Sequence, residues 1–373
     1  MLWLLVSGNL TGIFAQVPGG FPFEGLDRTY TVYVPASIPP GDQPPLLLAL
    51  HGLTQTGNIM MQFSNFNTYA EQYHFVVVYP DGVNNTWNVG FAGGANTNDV
   101  GFLSALIDTL HHQYSIDLSR VYSTGFSNGG FMSYRLACEL GDHIAAIASV
   151  SGTMTDGAFG TCVPSRNIPV MHIHGTSDLV VAYNGGFGNK SVDEVLGLWK
   201  GFNNCPSDAV IVNLPDLVQE GSTVQTYTWS PCADSTEVML YKVINGGHTW
   251  PGSVGTTGLG NTNRDIIASE EIWKFVSRFS LDITTGLIRE KKEPVYRVYP
   301  NPSNGGGITI GFPPMNKPAT IDILTAGGYK IANIAVPSGS GRQIIGAGRL
   351  MAGLYLVHLH NENVSRIMKL LIL

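Results

Sequence analysis

Residues 44–50, 75–80, 168–174 and 238–244 are short, apolar-rich stretches without the strict apolar–polar alternation of a half-exposed strand, and 120–124 is a shorter stretch of similar kind. Such runs suit strands covered on both faces, as in a parallel sheet. Between them, residues 100–110 place apolar side chains at helical spacing, and 131–137 read as a helix. Strands alternating with helices predict an α/β fold built on a doubly wound sheet. After a last helix near residues 273–276 the pattern changes. Residues 307–312, 319–324, 353–359 and 367–371 are short alternating strands separated by glycine and proline turns, which predicts a small β-sandwich. A charged stretch, 287–294, lies between the two patterns. The expected layout is therefore a catalytic unit at 17–282, a linker at 283–295 and a β-sandwich at 296–373, with residues 1–16 as a truncated signal peptide that lacks the usual charged start, or alternatively a frayed first strand.

Chemistry concentrates where the apolar runs end. Gly125-Phe126-Ser127-Asn128-Gly129-Gly130 joins the strand at 120–124 to the helix at 131–137. A serine in such a turn is lifted above the sheet, and the flanking glycines remove side chains that would clash with it. The helix behind it aims backbone N–H groups at any oxyanion formed there. A serine nucleophile needs a base and a carboxylate, in the chain order Ser, Asp, His for this type of fold. Asp178 lies just past the strand at 168–174, and His248 lies in a glycine-rich turn past the strand at 238–244. Carboxyl ends of strands in an open α/β sheet share one edge, so Ser127, Asp178 and His248 are expected to converge. The loop after residue 50 is where hydrolases of this fold supply one oxyanion N–H; Leu53 is the expected donor, with Thr54 as an open alternative and Asn128 as the second donor. His51 is expected to hold that loop by hydrogen bonds.

These motifs, with Leu50-His51-Gly52, Tyr79-Pro80-Asp81-Gly82, Asp99-Val100-Gly101-Phe102, His174-Gly175-Thr176-Ser177-Asp178 and Gly246-Gly247-His248-Thr249-Trp250-Pro251-Gly252, resemble the secreted poly(3-hydroxybutyrate) depolymerase and feruloyl esterase group of carbohydrate esterase family one. The resemblance covers about residues 26–281. It implies an α/β-hydrolase fold, no metal and no cofactor, and a Ser127-His248-Asp178 triad; it leaves the ester open. The tail resembles a type IX secretion sorting domain through Val298-Tyr299-Pro300-Asn301-Pro302-Ser303-Asn304-Gly305 and Ala352-Gly353-Leu354-Tyr355. That implies a secreted or cell-surface protein with the secretion machinery as a partner. An accessory sugar-binding module is the alternative.

Composition narrows the picture. Of 373 residues only 13% are charged, and 45 glycines and 21 prolines fit a large core wrapped in turns. A net charge of −7 without a basic, aromatic-rich patch argues against nucleic acid as a partner. No stretch is long enough to span a membrane. In an exported chain the four cysteines are expected as two bridges, Cys138 with Cys162 and Cys205 with Cys232, each bracing a catalytic element. His172 and His174 are expected to be packed strand residues rather than metal ligands, and Asp99 to cap its helix. Trp87 and Trp250, on loops beside the triad, are the candidates for stacking on an aromatic or sugar moiety. The expected activity is ester hydrolysis through an acyl-enzyme on feruloyl or acetyl esters of plant polysaccharide. Polyester depolymerisation is the alternative substrate reading; an acyltransferase or a non-catalytic binding protein are the alternatives in class.

Overall fold

The computed structural model describes residues 16–39, 41–91, 95–186, 188–253, 258–281, 296–304, 306–346, 350–362 and 364–373. All but Gln16 of the expected signal segment, and the whole of the expected linker at 283–295, lie outside the described residues. Ten strands form one sheet: β1 (Val17–Phe23), β2 (Leu26–Tyr33), β3 (Leu46–Leu50), β4 (Val76–Pro80), β5 (Val121–Phe126), β6 (Ala146–Val150), β7 (Val170–Gly175), β8 (Val210–Asn213), β9 (Thr223–Trp229) and β10 (Val238–Ile244). Their spatial order is β1-β2-β4-β3-β5-β6-β7-β10-β9-β8. The six central strands, β4 to β10, run parallel, and antiparallel pairs flank them on both sides.

The unbroken apolar runs have a direct cause. Leu46, Leu48 and Leu50 of β3 enter one core with helices α3 (Asp99–Tyr114), α4 (Asn128–Glu139) and α6 (Val192–Phe202). Leu47 and Ala49 of the same strand enter the opposite core with α1 (Gly57–Ser64), α2 (Phe66–Tyr73) and α7 (Ala268–Val276). A strand with helices on both faces has no solvent side to make polar. The short helix α5 (Asp156–Thr161) precedes Cys162, which is bonded to Cys138 near the end of α4. The second bridge joins Cys205, just past α6, to Cys232, just past β9. Both pairings are the expected ones.

Register fixes where the strands deliver their loops. Phe126 pairs with Val150, Val150 with Ile173, and Gly175 with Val243, so β5, β7 and β10 end along one edge. Asp99 departs from its expected role. Asn98 caps α3 by accepting from the Gly101 N–H at 3.0 Å. Asp99 instead forms a buried ion pair with Arg28 at 2.8 Å and accepts from the Asn88 N–H at 2.7 Å. A carboxylate withdrawn from water needs such partners, and Arg28, out on β2, ties that strand to the start of α3.

The tail forms two antiparallel sheets around one core. One is β11 (Arg297–Tyr299), β12 (Gly307–Gly311) and β15 (Arg342–Gly346); the other is β14 (Lys330–Val336), β13 (Ala319–Thr325), β16 (Gly353–His360) and β17 (Ser365–Ile372). Ile308, Ile310 and Ile345 of the first meet Ile321, Val357 and Leu370 of the second. The tail also rests on the large sheet's helices. Tyr299 packs against Phe202 with ring centroids 4.7 Å apart, and Arg342 lies 3.5 Å over the Phe159 ring.

Candidate active site

Strand β5 runs into Ser127, whose φ of 52° and ψ of −117° lie outside the regions a serine ordinarily occupies. The turn closes only because its neighbours lack side chains. A Cβ on Gly125 would stand 2.3 Å from the Gly129 carbonyl carbon, and one on Gly129 would stand 2.1 Å from the Leu50 oxygen. The Ser127 N–H is anchored on Val150 O at 2.9 Å. Helix α4 begins at Asn128, so the first N–H groups of that helix have no acceptor within it.

Asp178 and His248 meet at the same edge. His248 Nδ1 lies 2.8 Å from Asp178 Oδ2. Asp178 Oδ1 accepts the N–H groups of Val180 and Val181 at 2.9 and 2.8 Å. Burial by itself would raise the Asp178 carboxyl, but hydrogen bonds from His174 and His248 outweigh it and hold the group well below the ordinary carboxylate range. An ionised Asp178 fixes the proton on His248 Nδ1 and leaves Nε2 as the basic nitrogen. His248 is held by a two-way backbone bridge with Leu259, at 2.7 and 3.0 Å, and its ring lies 4.8 Å from that of Phe126. Among the described residues Ser127 Oγ makes no hydrogen bond, to His248 or to any other group. Contacts between nucleophile and base commonly tighten only when substrate is bound.

Behind the dyad runs a buried chain of polar groups. Tyr134 OH lies 2.8 Å from His172 Nδ1, His172 Nε2 lies 3.0 Å from His174 Nδ1, and His174 Nε2 lies 2.7 Å from Val181 O and 3.4 Å from Asp178 Oδ2. A carbonyl can only accept, so His174 Nε2 carries its proton. With one proton on each ring, His174 Nδ1 accepts from His172 Nε2–H, and His172 Nδ1 accepts from the Tyr134 hydroxyl. Burial holds His172 well below its ordinary value, in keeping with the neutral form. As expected, these two histidines are packed, hydrogen-bonded strand residues.

On the other side, His51 Nδ1 meets Gly52 O at 2.7 Å and His51 Nε2 accepts the Gly82 N–H at 2.9 Å. The Thr54 N–H donates to Asn85 O at 2.8 Å, whereas among the described residues the Leu53 N–H has no acceptor. Leu53, Trp87, Phe91, Phe131 and Val180 line, with Ser127 and Asn128, a pocket of about 380 Å³.

The expected stacking pair needs correction. Trp250 is 1% exposed, packed between Phe63 and Phe66 at centroid distances of 5.6 and 5.9 Å, and its Nε1 donates to Ser269 Oγ at 3.0 Å. No face of that ring is free for a ligand. It pins the His248 turn to α1 and α2. Trp87 borders the pocket but is also 1% exposed, with Nε1 on His51 O at 3.0 Å and its ring against His51. It forms a wall rather than an open stacking face.

Residues 28–192 match the family profile described as Esterase PHB depolymerase, and residues 297–373 match the Secretion system C-terminal sorting domain. A probable feruloyl esterase C from Aspergillus flavus is 30% identical over 257 residues, covering 67% of this chain and 83% of that one. The chain belongs to the PHB-depolymerase esterase family. A bifunctional acetylxylan esterase/xylanase from Neocallimastix patriciarum is 33% identical over 76% of this chain and 38% of its own length. Feruloyl esterase B from Piromyces equi is 27% identical over 68% of this chain and 46% of its own. The chain thus spans less than half the length of these two relatives. Among solved structures, an acetyl xylan esterase from Aspergillus awamori superposes with a TM-score of 0.48 at 17% identity, over 70% of this chain and 99% of that one. The sorting domain makes the protein a secreted or cell-surface one.

For this esterase-family chain, sequence reasoning missed the aromatic surface that does face the pocket. Phe91 is 39% exposed and its ring lies 5.4 Å from Phe131. A signal was present: Phe91 is the second aromatic of the loop that carries Trp87, and Phe131 follows Ser127 by one helical turn. Among the described residues, the group of His and carboxylate donors close enough to share a metal ion is Asp322, His358 and His360, in the tail rather than beside Ser127.

Proposed function

We propose that this protein hydrolyses carboxylic esters with Ser127 as nucleophile, His248 as general base and Asp178 as its orienting carboxylate. The observation that carries the reading is the buried 2.8 Å Asp178–His248 contact at the edge where Ser127 is held in a strained turn. His248 Nε2 takes the Ser127 proton as Oγ attacks the ester carbonyl, and the oxyanion is met by the N–H groups of Leu53 and Asn128. The engagement of the Thr54 N–H by Asn85 supports Leu53 over its neighbour. The tetrahedral species collapses, the alcohol leaves with the proton from His248, and water activated by His248 then frees the acid. Residues 17–282 constitute the catalytic unit and 296–373 the sorting domain.

The substrates proposed are feruloyl or acetyl esters of plant polysaccharide, in line with the names of the relatives. The Phe91–Phe131 pair beside Ser127 offers an apolar, aromatic seat for a feruloyl ring. A second reading, polyester hydrolysis, has its own observation: Leu53, Leu179 and Val180, around the site, are 57%, 93% and 52% exposed, a rim suited to a flat apolar chain. A fluorophosphonate probe should label Ser127 alone, and Ser127→Ala should lose about four to six orders of magnitude in turnover. Label on another serine, or retained activity, rejects the mechanism. Comparison of kcat/KM on methyl ferulate and acetylated xylan with monomer release from polyester films then chooses the substrate class.

A further inference from the structure

The four-stranded sheet of the tail turns one face to its core and the other outward. On β13 and β16 the inward set is Ile321 and Ile323 with Val357 and Leu359. The alternate positions point away, and there Asp322 stands directly opposite His358, with His360 two residues further along the same face. These three side chains bring one donor atom each to within 4.8 Å of one another. His360 Nε2 already lies 3.1 Å from Asp322 Oδ2, and the rings of His358 and His360 are 4.6 Å apart. Two ligands on one tetrahedral zinc ion lie about 3.3 Å apart, given metal–ligand bonds of about 2.0 Å.

Two further features fit a cation. Asn333 Nδ2 donates to Asp322 Oδ1 at 2.6 Å, which orients the carboxylate and turns Oδ2 toward the histidines. The Lys330 ammonium, itself half exposed, sits 2.7 Å from that same Oδ2. A positive charge therefore occupies the spot already, on a flexible stem that can withdraw. Ser365 Oγ lies 2.9 Å from His358 Nε2, so a proton held there leaves Nδ1 free as a donor to metal.

We propose that Asp322, His358 and His360 form a divalent metal site on the sorting domain, suited to a borderline ion such as zinc, with Lys330 as the cation it displaces. Two imidazoles and one carboxylate select zinc, nickel or copper over calcium or magnesium, and three protein ligands leave a position for water. On binding, the His360 proton moves from Nε2 to Nδ1 or to solvent, and Lys330 leaves Oδ2. The expectation of a metal-free chain rested on the family resemblance and on reading His172 and His174 as packed strand residues. It passed over a second pair of histidines at the same spacing, which in this case faces outward.

The test is titration of the full, untagged chain with zinc chloride in chelator-free buffer near neutral pH, read by calorimetry. One equivalent should bind in the micromolar range or tighter. His358→Ala and His360→Ala should each weaken binding by at least about tenfold, and Lys330→Met should strengthen it, because the competing ammonium is gone. The adjacent His111 and His112 provide a control: replacing both by Ala should leave the titration unchanged. The ligand histidines lie on the outward face, so circular dichroism melts of the variants without zinc should match the parent. Failure to saturate below about 100 µM zinc, or undiminished binding in His358→Ala and His360→Ala, would overturn the site. An unchanged affinity in Lys330→Met would equally remove Asp322 Oδ2 as a ligand.

Discussion

Ser127 is held at a backbone geometry that costs on the order of 1–3 kcal/mol, and the surrounding glycines and the Val150 anchor impose it. The polar chain behind Asp178 is a different kind of constraint, because burial holds His172, at its centre, in the neutral form. The folded protein holds the His172 value well below 6.5, and burial likewise lowers His51. The unfolded chain takes protons at these positions as pH falls through about 6.5, while the folded chain does not. Their contribution to stability is therefore complete above that pH and lost progressively below it, at up to about 1.4 kcal/mol per pH unit for each proton. Thermal unfolding should show Tm falling from pH 7.5 to 5.5, with a shallower fall in His172→Gln. An identical slope in that variant would contradict the assignment. Ser127, Asp178 and His248 were legible as candidates because each follows a strand at a shared sheet edge. The polar chain was not, because His174 reaches Asp178 only once residues 178–183 fold back over β7.

Strands of the central sheet were readable because burial on both faces writes an unbroken apolar run. The aromatic loops were not. A tryptophan in a glycine-rich turn has the same local sequence whether its ring faces solvent or core, and for Trp250 the decision lies with Phe63 and Phe66, nearly two hundred positions away. The two aromatic sets should separate experimentally. Trp250→Ala empties a packed site and should cost about 3–5 kcal/mol of stability, with activity on methyl ferulate and p-nitrophenyl acetate falling together. Phe91→Ala should leave stability nearly unchanged and lower kcat/KM on methyl ferulate roughly fivefold, about 1 kcal/mol, with little change on the small acetate. Equal losses on both esters in Phe91→Ala would remove the aromatic seat from the substrate argument.

Taken whole, the molecule is less divisible than its two sequence patterns suggest. No proposed catalytic residue lies beyond His248, so a chain ending at Leu281 should keep its turnover on p-nitrophenyl acetate while losing export in its host. The tail nonetheless covers Phe159 and Phe202, and Tyr299 belongs to the same buried cluster as Trp199 and Phe202. Truncation should therefore lower Tm by several degrees without lowering kcat, and a scan comparing both lengths checks it. Abolished hydrolysis in a folded short form would show that the tail shapes the site. Gly201 is part of the same fit, since a Cβ there would stand 2.9 Å from the Tyr299 ring. Chain order gives this contact a further consequence. Tyr299 follows every strand and helix of the large sheet in chain order, so a chain that ends between α7 and Tyr299 carries the whole sheet but leaves one seam along α6 bare. A chain cut there displays Phe202 to chaperones and proteases, and β11 is the segment that closes the seam.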